Sequence, residues 1–285
     1  MDNRSVDMGL FQVGVGPGSG CAPLLIAGPC VLEDIETALE IGAFMKEAAG
    51  LNGFNYVFKA SFDKANRTSI SSYRGPGLEK GLEMLYAVRN TLNVPVISDV
   101  HEPSQVWPAA EVLDVLQIPA FLCRQTDLLV AAAQTGLPVN IKKGQFMSPW
   151  DMRHAVGKVR ESGNHDILLT ERGSCFGYNN LVVDMRSIEI MQHLGCPVIF
   201  DATHSVQLPG AGDGCSSGQR EFVPVLARAA AAVGADGFFM EVHPEPDRAL
   251  CDGPNSLELD SASDLLAQLA AIRDALGQAK SQGES

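Results

Sequence analysis

Eight short apolar runs recur along this chain, and helical spacing separates each from the next. The runs are Leu24–Ala27, Tyr56–Lys59, Val94–Ser98, Val115–Ile118, Val139–Lys142, Ile167–Thr170, Pro197–Asp201 and Gly237–Glu241. Near-continuous apolarity in a strand implies burial on both faces, as in parallel sheets. The alternating segments predict helices over Ile35–Ala49, Leu78–Leu92, Gln105–Leu113, Thr126–Thr135, Trp150–Glu161, Met185–His193, Gln219–Val233 and Ala262–Leu276. Eight β and α units within 285 residues predict an α/β chain closed into a single (β/α)8 TIM barrel. A doubly wound open sheet is the runner-up. It needs a Gly-rich phosphate loop after its first strand, and here that strand ends in Gly28-Pro29-Cys30.

Residues 1–22 fall outside the repeating pattern and are expected to form an N-terminal extension to a barrel spanning 23–280. Within it, Leu10–Val15 predicts a short strand or hairpin that caps the barrel. Ser205–Gly218 is the longest turn-rich stretch and directly follows the seventh strand, where a mobile lid is expected. The polar Gln278–Ser285 is expected to fray. Neither an internal repeat nor a linker marks a further boundary.

With 46% apolar and 19% charged residues, the chain can bury a large core. Its formal net charge of −13 argues against nucleic-acid or anionic-membrane binding. Seven scattered cysteines without a C-x-x-C pair point to a reducing compartment. The N-terminus lacks a basic-then-apolar signal pattern, and no apolar run approaches the ~18 residues of a membrane span. A soluble, cytoplasmic protein is therefore expected.

The strand ends carry unusual charge. In a barrel they converge on the C-terminal face, bringing Lys59, Lys64, Arg67, Arg124, Lys142, Lys143 and Arg172 together. That is a third of the 21 basic residues of an acidic chain, and it suggests a polyanionic ligand such as a pair of phosphate esters. Lys59 and Lys142 lie inside apolar strands, where a buried lysine needs a partner. Lys143 faces the helices if the strand alternates strictly. Arg124 could instead pair with Asp127, and Lys64 and Arg67 would ordinarily be solvated loop residues.

The same face gathers a second set: Cys30, His204, Glu241 and Asp252. A thiolate, an imidazole and two carboxylates suit Zn²⁺, Fe²⁺ or Mn²⁺ rather than Ca²⁺. Individually each has a plainer reading. Cys30 reads as a small buried hydrophobe, His204 as a structural hydrogen-bonder and Asp252 as a turn residue, while Glu241 at an apolar strand end needs a partner. His101 and His243 are spare candidates.

The segments F-K-A-S-F-D-K-A-N-R-T-S (58–69), Y-R-G-P-G-L-E (73–79), S-D-V-H-E-P-S-Q (98–105), P-A-F-L-C-R-Q-T-D-L (119–128), R-G-S-C-F-G-Y-N-N-L-V-V-D-M (172–185) and C-D-G-P (251–254) closely resemble the 3-deoxy-D-manno-octulosonate 8-phosphate synthase family. The resemblance spans Leu24 to Leu276. It implies a (β/α)8 barrel, usually a homotetramer, that condenses phosphoenolpyruvate with arabinose 5-phosphate for lipopolysaccharide synthesis and releases inorganic phosphate. Carried over by motif, Lys64, Lys142 and Arg172 would hold phosphoenolpyruvate, with Lys59 and Asp99 in the same pocket. Asn66, Arg67 and Thr68 would bind the pentose and its phosphate. Arg124 would reach the sugar phosphate of a neighbouring subunit. Lys64, Lys142, Arg172, His204 and Asp252 would form the catalytic group.

One branch of that family carries asparagine where Cys30 stands and needs no metal. The other carries cysteine and binds one divalent metal ion per subunit, here through Cys30, His204, Glu241 and Asp252. Cys30 places this chain with the metal-dependent branch. The chain departs from the family's usual serine at Thr68 and often-seen proline at Gly144. A related synthase that uses erythrose 4-phosphate is the nearest alternative, although it typically shows K-P-R-T where this chain has K-A-N-R-T. A sialic-acid-type synthase lacks support from the motifs. A non-catalytic barrel that binds phosphometabolites is the alternative from another class.

Overall fold

The computed structural model describes residues 5–16, 19–67, 69–210 and 217–283. Eight parallel strands close into a barrel in chain order: β1 (Leu24–Gly28), β2 (Asn55–Lys59), β3 (Val96–Asp99), β4 (Val115–Ile118), β5 (Val139–Lys142), β6 (Ile167–Glu171), β7 (Val198–Asp201) and β8 (Gly237–Glu241). Helices follow each strand: α1 (Ile35–Leu51), α2 (Leu78–Leu92), α3 (Pro103–Ala110), α4 (Thr126–Gln134), α5 (Met152–Glu161), α6 (Arg186–Gln192), α7 (Val223–Ala232) and α8 (Leu259–Gly283). The predicted barrel is the observed one.

Boundary differences have local causes. Asp34 starts α1 by accepting from the Thr37 N–H at 2.8 Å. Pro103 stands at the first position of α3, which therefore begins earlier than its apolar spacing suggests. Single 3-10 turns, Pro149–Asp151 and Arg220–Phe222, lead into α5 and α7 and account for their later starts. The C-terminus departs from expectation: α8 continues to Gly283 instead of fraying from Gln278.

Strand alternation divides the barrel by height. Leu24, Ile26, Val57, Ile97, Val115, Leu168, Ile199 and Phe239 point inward and form an apolar layer. Their neighbours, such as Leu25, Phe58, Leu116, Ile141, Phe200 and Phe238, belong to the core shared with the helices. Two residues further along several strands, the inward positions turn polar: Lys59, Asp99, Gln117 and Asp201 are all buried. On these four strands the inward face changes from seal to site over two residues.

An antiparallel hairpin, Ser5–Asp7 paired with Gln12–Gly14, closes the N-terminal end. Its Val6, Met8 and Val13 pack into the apolar layer, with Phe11 beside them. The expected strand over Leu10–Val15 is therefore the second arm of this cap. Asp236 fastens the cap to the barrel. Its carboxylate accepts from the Gly16 N–H at 2.5 Å, the Val198 N–H at 2.8 Å and the Gln192 side chain at 2.9 Å. Burial pushes its pKa up to about 6, so near pH 7 the charged form is the one these donors hold. Asp236→Ala orphans three donors and is expected to cost about 2–3 kcal/mol, measured by urea unfolding.

Candidate active site

A cavity of about 440 Å³ opens at the C-terminal face. Lys59, Lys64, Arg67, Lys142 and Arg172 line it, together with Asn66, Asp99, His101, His204 and Asp252. Five of the seven basic residues singled out in the sequence therefore converge. Thr68 lies outside the described residues.

The two remaining residues take other roles. Lys143 follows the alternation away from the cavity. It is buried, donates to the Gly173 carbonyl at 2.9 Å and to Ser174 at 3.0 Å, and lies 3.4 Å from Glu171. Its task is to brace the loop after β6. Arg124 is exposed and does not line the cavity, and among the described residues it forms no ion pair with Asp127. Gly144 also has a structural reason, because a Cβ there would press on the Ala120 carbonyl and the Cys123 sulfur at 3.0 Å.

Buried cations are matched by buried carboxylates. Lys142 Nζ lies 2.7 Å from Asp201 and 3.6 Å from the centre of the Phe239 ring. Lys59 lies 3.8 Å from both Asp99 and Glu241, and Lys64 lies 3.7 Å from Glu241. Burial pushes Lys142 below the ordinary amine range, against the pull of Asp201. Burial also lowers Arg172, whose guanidinium donates to Gln207 at 3.0 Å. Arg67 is tied to the Tyr73 and Leu250 carbonyls at 3.1 and 2.9 Å.

A hydrogen-bonded chain runs along the wall. Lys59 donates to Ser61 at 2.8 Å, Ser61 donates to Asp99 at 2.5 Å, and His101 Nε2 lies 3.0 Å from the other Asp99 oxygen. Burial alone would raise Asp99, but Lys59 and His101 outweigh it and hold the carboxyl well below its usual range. Asp99 in turn holds the His101 imidazole above its usual range, although burial opposes this. His101 is thus part of the site. The other spare candidate, His243, accepts from the Glu245 N–H at 3.0 Å and stays out of the cavity lining.

The proposed cation residues fall into two overlapping groups that share Asp252: His204 with Glu241 and Asp252, and Cys30 with Cys251 and Asp252. His204 Nε2 faces Glu241 at 3.5 Å and Asp252 at 3.8 Å, and Cys30 Sγ lies 3.3 Å from Asp252. Ligand atoms of His204, Glu241 and Asp252 all fall within 4.8 Å of one another. Both Glu241 oxygens are buried without accepting a hydrogen bond, a costly condition that a cation would relieve. His204 is tied to Asp201 through its backbone N–H at 2.9 Å, its Nδ1 lies 2.8 Å from the same carboxylate without hydrogen-bond geometry, and Nε2 faces Glu241 and Asp252. Asp252 adopts φ +48°, left-handed backbone that asparagine and aspartate tolerate best among residues other than glycine. At Gly28 a Cβ would overlap the Lys59 carbonyl, so only glycine lets β1 turn into Cys30 so close to β2. The imidazole, carboxylate and thiol donors of the two groups are of a kind that could hold a metal ion, with Asp252 common to both.

Several contributors were not singled out from sequence: Asp201, Ser61, Gln207 and Cys251. Asp201 and Ile199 are alternate residues of β7, as Lys142 and Asn140 are of β5, so its inward direction could have been read. The loop residues Gln207 and Cys251 offer no such period. Gln207 joins Arg172 to Asp252, to which it donates at 3.4 Å. The expected lid has a paired base, Gln207–Leu208 against Ser217–Gly218, while residues 211–216 lie outside the described residues.

A closed (β/α)8 barrel that gathers buried lysines and Arg172 beside residues able to hold a metal ion defines a class: TIM-barrel proteins with a basic cavity at the C-terminal face. Within that class, this chain belongs to the DAHP synthetase I family, which it matches over residues 6–276. It is similar to the 2-dehydro-3-deoxyphosphooctonate aldolase of Desulfotalea psychrophila, at 63% identity over 91% of this chain and 92% of the relative. The protein of the same name from Desulfatibacillum aliphaticivorans is 62% identical over 93% and 98% of the two chains. That of Geobacter metallireducens is 58% identical over 94% and 97%.

Proposed function

We propose that this protein condenses phosphoenolpyruvate with D-arabinose 5-phosphate and water, giving 3-deoxy-D-manno-octulosonate 8-phosphate and inorganic phosphate. The observation that carries this reading is the convergence of Lys59, Lys64, Lys142 and Arg172 on one cavity beside two donor groups joined at Asp252, one with His204 and Glu241 and the other with Cys30 and Cys251. The names of the relatives support it.

Lys64, Lys142 and Arg172 clamp the phosphate and carboxylate of phosphoenolpyruvate. Asn66, Arg67 and Thr68 take the pentose phosphate. Holding two like-charged esters together supplies the proximity that the bimolecular step needs. C3 of the enol phosphate attacks the pentose aldehyde, positive charge develops at C2, water adds there, and phosphate leaves with cleavage of its bond to C2. Asp99 and the imidazole of His101 are placed to hold a proton on the wall facing the substrates. Asp201 keeps His204 oriented and Lys142 charged. A bound divalent ion would supply a Lewis acid that orients aldehyde or water.

Arg124, exposed on the same face, is assigned to the sugar phosphate of a neighbouring copy in a homotetramer. Among the described residues no helix is long and apolar enough to cross a membrane, which suits the proposed cytoplasmic setting and a role in supplying lipopolysaccharide precursors. Phosphate release measured with two aldoses tests the reading. Arabinose 5-phosphate is expected to exceed erythrose 4-phosphate in kcat/KM by on the order of 10²-fold or more, because the shorter sugar leaves polar groups unpaired. The reverse order would assign the heptulosonate reaction, and no release with either sugar would indicate a binding protein.

A further inference from the structure

We propose that Cys30 and Cys251 are a redox-modifiable pair, and that their disulfide and the Cys30–metal bond exclude one another. The two sulfurs lie 2.6 Å apart, far inside ordinary non-bonded contact. A covalent S–S bond is about 2.05 Å long, so closure asks for a shift of roughly 0.5 Å. The residues are 221 positions apart and come from separate turns, one after β1 and one beyond β8. Val31 and Tyr73 complete an apolar nest around both sulfurs. The pair is buried yet not sealed, because Cys251 lines the cavity and a small oxidant entering there meets it.

The chemistry balances with a peroxide as oxidant. A thiolate of the pair attacks the O–O bond, becomes a sulfenic acid and releases hydroxide. The partner sulfur then attacks that sulfenic sulfur. The S–S bond forms, the S–O bond breaks, and the partner's proton leaves with the hydroxyl as water. Two electrons pass from the thiols to the peroxide. In a reducing compartment such a bond is transient, and thiol exchange returns the pair.

A disulfide takes the lone pair that Cys30 would give a cation, leaving only His204, Glu241 and Asp252. A bound cation conversely draws Cys30 toward His204 and blunts its attack. The pairing stands on the sulfur geometry, whereas its consequence for the metal rests on the ligand role proposed above.

The test treats metal-stripped full-length protein with stoichiometric hydrogen peroxide, then maps thiols by alkylation and peptide mass spectrometry. A Cys30–Cys251 linked peptide is expected, reversed by dithiothreitol and suppressed roughly tenfold or more by prebound Mn²⁺ or Zn²⁺. The oxidised protein is expected to bind either ion on the order of 100-fold more weakly. Reduced Cys251→Ser is expected to bind the ion as the parent does and to form no link. Absence of the linked peptide from stripped protein overturns the pairing and leaves the ligand role intact. A link that forms equally with metal bound, or leaves metal uptake unchanged, overturns the exclusion and the Cys30 ligand role with it. Weakened metal binding in reduced Cys251→Ser would make Cys251 a ligand and overturn the proposal.

Discussion

Lys142→Met is expected to reduce kcat/KM for phosphate release by about 10³-fold and to lower stability by about 3 kcal/mol. Two separate effects combine. The first is loss of a cation aimed into the cavity from the end of β5, where low surrounding polarity strengthens a charge-assisted bond to a bound anion. The second is electrostatic: Asp201, fully buried 2.7 Å away, loses its lysine and is left with the Thr203 hydroxyl and the His204 backbone N–H as donors. These effects can be separated. Lys142→Met combined with Asp201→Asn removes the stranded charge and should recover most of the stability by urea unfolding while activity stays low. A double variant that regains activity would show that Lys142 serves only to neutralise Asp201.

Stripping the protein with a dipicolinate-type chelator is expected to abolish turnover, and added Mn²⁺ or Zn²⁺ to restore it. The argument rests on Glu241, whose two buried oxygens accept no hydrogen bond. Lysines at 3.7 and 3.8 Å neutralise that charge without bonding to it. Cys30→Ala should lower metal affinity by at least about 100-fold, since even outer-shell changes cost 10–100-fold. Bound metal per chain, measured by elemental analysis, checks this independently of activity. Full turnover in excess chelator, with no metal retained, would overturn the metal reading.

The barrel and much of the pocket were legible because strand geometry has a period of two. Val57 and Lys59, or Ile97 and Asp99, share one side of their strand, so an apolar residue followed two positions later by a charged one marks the step from core to site. Lys142 and Lys143 show the limit of that signal. Two adjacent lysines must point to opposite faces, but which one faces inward depends on barrel register, and that is settled by all eight strands together. Loops carry no such period. Cys251 reads as a turn neighbour of Asp252, and only the chain's return from β8 to the turn after β1 places its sulfur beside Cys30. Arg124 sits on the right face in sequence order, yet the loop after β4 carries it to the surface.

The apolar layer of inward strand residues, backed by the hairpin, closes the inner end of the cavity. Among the described residues, the lining comes from strand ends and loops of the C-terminal face. Lys59 and Lys142 lie at the inner end, almost wholly covered, while Asn66 and Arg67 stand nearer the threshold. Under the proposed reaction, the ligand of the inner cations is expected to bind before the ligand of Asn66 and Arg67, an order that product-inhibition kinetics would check. The inner ligand is then expected to leave after the outer one, or joined to it as one molecule. An apolar floor thereby sets the order expected of chemistry in which it takes no part.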